Sequence, residues 1–181
     1  VDDYIKIYGH WANNLLVKTK FNIRKGLNKY FAKPLVPKYT VAQMLSAELC
    51  GMSRYFEIHH RPHVLDKILF QKYFEAHPSV LEKQISYRFR SALQFLPVGL
   101  NNHLKIKYKQ AEIFNDIEIA YLKNETSIEL FLKNLNNSNV KFGCIQSLDQ
   151  FEEKQFQKIS SALNLKFKDY LPKSIAFKSP S

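Results

Sequence analysis

The residues best equipped for chemistry form one run, His59-His60-Arg61-Pro62-His63-Val64-Leu65-Asp66-Lys67. Imidazole titrates near neutrality, so His60 and His63 suit proton transfer. Arg61 and Lys67 suit an anionic partner. A proline fits the first position of a helix, because its missing N–H would have no partner there. Pro62 therefore predicts a helix carrying Val64, Leu65, Ile68, Leu69, Tyr73 and Phe74 on its period. On that reading His60 and Arg61 stand just ahead of the helix and His63 lies in its first turn. Free N–H groups and partial positive charge attract phosphate at such a place. Asp66, one turn in, is placed to orient a histidine or to hold a metal. Zinc is a rival reading, because His60, His63 and Asp66 are all potential ligands. Their spacing, however, fits no helical zinc motif such as H-E-x-x-H. The bland alternative is a set of packed or capping side chains.

Two further clusters carry polar chemistry. In Tyr87-Arg88-Phe89-Arg90 the alternation places Arg88 and Arg90 on one side of an extended stretch. A guanidinium grips a phosphate at two oxygens, which an ammonium cannot do. Two solvated surface arginines are the ordinary alternative. Lys141-Phe142-Gly143-Cys144-Ile145-Gln146-Ser147 reads as a buried strand ending in polar residues. Ligands of α/β sheets sit beyond the carboxyl ends of strands, where Gln146 and Ser147 would lie. Cys144 within that strand reads as core rather than nucleophile.

The secondary structure around these clusters is read from apolar spacing and from proline and glycine. Trp11 to Ile23 has the spacing of a short helix, and Pro34 and Pro37 break the pattern beyond it. Thr40 to Met52 predicts a helix capped by Thr40, with Val41, Met44, Leu45 and Leu49 on one face. Pro78 opens a helix to about Ile85, and Pro97 and Gly99 interrupt the segment after Arg90. The character changes near Glu112. Ile113, Ile117, Ile119 and Tyr121 occupy odd positions, as on a strand. A helix is predicted over Thr126 to Leu135 and a strand over Val140 to Ile145. A capping box at Asp149 and Glu152 starts a helix to about Leu163, and the tail from Lys166 frays. The sum is α/β, helix-rich, with a few strands.

The chain has 181 residues, 45% of them hydrophobic, which is enough for a packed core. It opens on Val1 rather than Met, so it reads as a piece of a longer protein. Residues 1–181 are then a single domain or the C-terminal part of a larger catalytic domain. No apolar run reaches membrane-spanning length, and the start does not resemble a signal peptide. Cys50 and Cys144 are the only cysteines and form no C-x-x-C pair, so a thiol-reducing cytoplasm is the expected setting. The formal net charge is +11. Residues 1–40 hold eight basic residues (Lys6, Lys18, Lys20, Arg24, Lys25, Lys29, Lys33 and Lys38) against Asp2 and Asp3, a net +6. That excess favours an anionic partner, although a solvated basic face has the same composition. No zinc-finger, helix-turn-helix or RNA-recognition signature is present, so nucleic acid is not expected as that partner.

The clusters, in this order, resemble the third and fourth conserved regions of the Stealth family of sugar-phosphate transferases. That family includes capsule-polysaccharide phosphotransferases. The third region is similar to His60 through Gln94: an H-x-P-H-x-x-D start, a helix, a proline, then R-F-R ending at Arg90. The fourth resembles Lys141 to Ser147, then a helix, then Pro172-Lys173-Ser174 with Phe177 beyond. Gln94 stands where some members carry Asp, and Lys178 follows Phe177 where the family usually has Glu. The resemblance implies the C-terminal portion of a nucleotide-sugar-transferase-like domain. It implies transfer of a sugar-1-phosphate from a donor such as UDP-N-acetylglucosamine to a glycan hydroxyl. His60 and Arg90 would be catalytic, and Arg61, His63, Asp66, Lys67, Arg88, Gln146 and Ser147 would bind substrate. A divalent metal, Mg or Mn, would sit on the pyrophosphate with ligands mostly outside this chain, so the isolated piece is expected to be inactive. The implied setting is the cytoplasm, with peripheral association at the inner face of the membrane. The alternative is a non-enzymatic basic module that binds a polyanion through Lys18 to Lys38.

Overall fold

The computed structural model describes residues 5–27, 38–89, 91–115, 117–146 and 148–168. The chain is α/β and helix-rich, as its patterning predicts, and it falls into two units, Val1–Ile117 and Glu118–Ser181.

The first unit begins with an extended run that changes partners at one glycine. β1 (Ile5–Tyr8) pairs in parallel with β4 (Ala111–Phe114), while β2 (His10–Asn13) pairs antiparallel with β3 (Arg54–Glu57). Gly9, between β1 and β2, permits the switch: a Cβ there would stand 2.1 Å from the Glu57 carbonyl oxygen. Trp11, expected in a helix, lies instead in β2 and meets Phe56 edge-on across the ladder, with ring centroids 5.4 Å apart. The helix, α1 (Asn14–Leu27), starts where the Asn13 side chain accepts the Leu15 N–H.

α2 (Lys38–Leu49) begins earlier than expected, so Thr40 lies inside it rather than capping it. It ends in a turn in which Gly51 adopts φ +76°. There the Met52 N–H reaches the Ala47 carbonyl and the Gly51 N–H reaches that of Glu48. This pair of bonds satisfies the last carbonyls and requires a residue tolerant of the left-handed region.

The segment expected to be interrupted by Pro97 and Gly99 is a helix, α5 (Pro97–Lys107). Pro97 fills its first turn, and Gly99 lets α5 approach α2, since a Cβ would come within 2.9 Å of the Ser46 hydroxyl. α2 and α5 both pack on β3. Val41, Met44 and Ala47 join Val17 and Tyr55 in one cluster, and Ile7, Phe56 and Ile58 form another with Leu96, Val98 and Ile106. α4 (Pro78–Ile85) has the expected bounds.

The third helix contradicts the reading of Pro62. α3 (Lys67–Ala76) starts five residues later, and 61–66 are irregular. The reason is the cap. Asp66 accepts the Leu69 N–H at 2.9 Å, whereas nothing just before Pro62 offers a side-chain oxygen. Tyr73 of α3 is buried with Cys50, Phe95, Leu100 and Leu104.

In the second unit, β5 (Ala120–Leu122) pairs in parallel with β6 (Gly143–Ile145). The odd-numbered set expected on one strand is divided, with Ile113 in β4 and Tyr121 in β5. α6 (Ile128–Asn136) and α7 (Glu153–Phe167) close the core around Phe131, Leu135 and Ile159. The capping box of α7 is Glu152 with Gln155, three residues beyond the expected Asp149, and the helix continues past Leu163. The expected fraying from Lys166 meets helix as far as Phe167, and the tail from 169 lies outside the described residues. Among the described residues no helix is long and apolar enough to cross a membrane.

Candidate functional site

The histidine run forms a loop, 59–66, between β3 and α3. It is tied at both ends to buried polar side chains of α2 and α5. At its start, Gln43 of α2 accepts the Ile58 N–H at 2.7 Å and donates to the Ile58 carbonyl at 3.2 Å. Two residues earlier, His103 of α5 accepts the Phe56 N–H at 2.9 Å. These side chains satisfy the edge of β3 that β2 does not cover. At the loop's end, Asn101 of α5 accepts the Asp66 N–H and donates to the Val64 carbonyl, each at 2.9 Å. Lys105, only 2% exposed, reaches the Asp66 carboxylate at 2.6 Å. Buried backbone and charge require such partners, so the loop has one favoured path rather than many.

The electrostatics follow from these bonds. Hydrogen bonds from Lys105 and then from the Leu69 N–H hold the Asp66 carboxyl below the usual carboxylate range. Burial pushes His103 down to about 4, only partly offset by its bond to the Gly99 carbonyl at 2.5 Å. His103 is therefore neutral, with its proton on Nδ1 and Nε2 as the acceptor. Burial likewise lowers His63, against the opposing effect of its bond to the His59 carbonyl at 3.2 Å. A carbonyl can only accept, so neutral His63 carries its proton on Nε2 and keeps a lone pair on Nδ1. Burial raises the Cys50 thiol to about 11, which leaves it inert.

The positive end of α3 is thus occupied by the protein's own carboxylate and is not offered to a phosphate. What the loop presents outward is side chains. His60 is exposed and stacks on Tyr39 of α2, with centroids 6.3 Å apart. Arg61 is half-buried, and its guanidinium donates to the His60 carbonyl at 3.1 Å. Lys67 is exposed at the first residue of α3. Around the same strand ends, His10 pairs with Glu57 at 3.4 Å and its ring lies 5.6 Å from that of His59.

Arg88 follows α4, with its guanidinium 5.3 Å from the Phe89 ring. Arg90 lies outside the described residues, as do Ser147, the Pro172-Lys173-Ser174 segment and Phe177. Gln94 has a structural task, because it accepts the Ser91 N–H and donates to the Gln84 carbonyl. Gln146 belongs to the second unit, where its side chain accepts the Tyr121 hydroxyl just beyond β6. That unit also has a cleft of about 540 Å³ lined by Phe131, Leu135, Val140, Phe142 and Leu163. Among the described residues no group of three or more His, Cys, Asp or Glu side chains could hold a metal ion.

Sequence reasoning missed Gln43, Asn101, His103 and Lys105. A signal for three of them existed. Asn101-Asn102-His103 and Lys105 are polar residues clustered behind a proline that could open a helix, as Pro78 does. No family model matches the chain, no curated protein matches it, and no solved structure matches it.

Proposed function

We propose that this chain contributes the phosphate-handling part of an enzyme that transfers a sugar-1-phosphate from a nucleotide-sugar to a glycan hydroxyl. The observation that carries the reading is the loop 59–66, fixed at both ends by buried side chains and carrying an exposed His60 beside a half-buried Arg61. A fixed array of this kind suits transfer of a phosphoryl group, where positioning and charge stabilisation supply most of the catalysis. The H-R-P-H-x-x-D and R-F-R sequences support the same chemistry by their resemblance to the Stealth family.

In this reading an acceptor hydroxyl attacks the β-phosphorus of the donor. The P–O bond to the nucleoside monophosphate breaks, and a phosphodiester forms. His60 takes the hydroxyl proton or contacts the phosphate. Arg61 completes the loop's anionic subsite, while His63, through its bond to the His59 carbonyl, and Asp66 hold the loop rather than the substrate. Arg90 grips the transferring group. A divalent ion would neutralise the pyrophosphate, but no ligands for it are assigned within this chain. The setting proposed is the cytoplasmic face of a membrane.

Replacing Arg90 by Lys in the full-length enzyme keeps the charge and removes the planar fork. Turnover should fall about 30- to 1000-fold, equivalent to roughly 2–4 kcal/mol at the transition state, with donor affinity changed less. Steady-state kinetics beside Arg88→Lys, with thermal melting as a folding control, decide it. Wild-type turnover in folded Arg90→Lys removes Arg90 from the mechanism.

A further inference from the structure

We infer that the start of α3 is a docking surface for an anionic lipid bilayer. Val64, Leu65 and Ile68 are 60%, 54% and 65% exposed, although each is aliphatic. They fall within five residues, so they form one knuckle rather than scattered surface positions. Helical spacing puts Gln71 and Lys72 on the same face of α3 as Ile68, away from Leu69, Phe70, Tyr73 and Phe74, which pack inward.

The charges around the knuckle choose the partner. Lys67 and Lys72 are exposed, and Arg61 is half-exposed. Of the nearby acids, Asp66 is paired with Lys105, which leaves Glu75, hydrogen-bonded to Gln71, against Arg61, Lys67 and Lys72. Exposed aliphatic side chains flanked by exposed lysines, with cations in excess, match a bilayer with anionic headgroups. Water-soluble protein partners more often meet aromatic anchors.

The backbone also fits shallow insertion. The Val64 carbonyl and the Asp66 N–H are both satisfied by Asn101, and the Leu69 N–H by Asp66. The knuckle can therefore enter the headgroup region with fewer unpaired polar groups. Its path is already fixed, so little ordering is lost on binding. His60 and Arg61 precede it by a few residues, so docking would bring the loop's polar edge to the membrane surface. The inference does not depend on the proposed chemistry.

The test is cosedimentation of the chain with vesicles of phosphatidylcholine, with and without one-third phosphatidylglycerol, at near-physiological salt. The wild type should bind the mixed vesicles and bind phosphatidylcholine alone weakly. Leu65→Ser and Ile68→Ser should each lower partitioning about tenfold. Lys67→Gln and Lys72→Gln should each lower it about fivefold. All four positions are exposed, and melting checks that each variant is folded. Failure of the wild type to bind either vesicle overturns the inference. Binding that survives both serine substitutions but is lost in Lys18→Gln/Lys20→Gln also overturns it, by assigning attraction to α1. Burial of the knuckle in a second copy, seen as a dimer that Leu65→Ser abolishes, does so as well.

Discussion

His103 makes acid stability a readout of how the histidine loop is held. Its ring is fully buried, accepts the Phe56 N–H and has a pKa near 4, against an ordinary value of 6.5. The unfolded chain therefore binds a proton that the folded chain refuses. Stability from this group is fully present above pH 6.5 and is lost as pH falls from 6.5 towards 4. With those two values, lowering pH from 7 to 5 should remove about 2 kcal/mol. His63 shifts in the same direction and adds to the loss. Asp66, already lowered, loses its contribution only at more acidic pH. The perturbation is His103→Gln, whose amide can accept from Phe56 and donate to Gly99 without titrating. Urea unfolding at pH 7, 6 and 5, at constant ionic strength, gives the stability difference for wild type and variant. The variant should lose about 2 kcal/mol less across that interval, even if it starts less stable. An equal loss in both proteins would refute the assignment of a buried, neutral His103.

The Asp66–Lys105 pair predicts an order of stabilities by denaturant midpoint. Lys105→Met, which leaves a partly exposed carboxylate, should cost least. Asp66→Asn keeps a capping oxygen but strands a buried ammonium, and should cost about 2–3 kcal/mol. Asp66→Ala loses the cap as well and should cost about 1 kcal/mol more. If Asp66→Ala equals Asp66→Asn, the cap contributes nothing. Gly9→Ala should destabilise by about 3 kcal/mol or more, because its Cβ meets backbone rather than a flexible side chain. A melting temperature within a degree or two of wild type would contradict that packing.

Prolines show how far the sequence could be read. Pro62, Pro78 and Pro97 carry the same local signal, yet only Pro78 and Pro97 open helices. At Pro62 the outcome is decided by Asp66, and its hold depends on Lys105, thirty-nine residues away. No local pattern encodes that partner. Gly99 reads as a breaker until α2 is known to lie against it. The helix-rich α/β class was legible because apolar spacing within α3, α4 and α6 is local. β1, β2 and β3 were not, because four-residue strands leave too little alternation and Gly9 hides the change of partner. Of the site, the cluster of His60, Arg61 and His63 was visible from residue type alone. The side chains that hold it were not read, since Gln43 and the polar cluster of Asn101, His103 and Lys105 behind Pro97 look like surface residues until their burial is seen.

The most direct test of the phosphate-handling loop is a titration of the isotope-labelled chain with UDP-N-acetylglucosamine, read by NMR of backbone and histidine-ring resonances. Saturable shifts concentrated in 59–66 and 88–91, persisting at raised salt, are predicted, because a fixed site depends less on screening than a diffuse basic face does. Shifts confined to Lys18, Lys20 and their neighbours, vanishing with salt while His60 and His63 stay unmoved, would contradict a phosphate site in this loop.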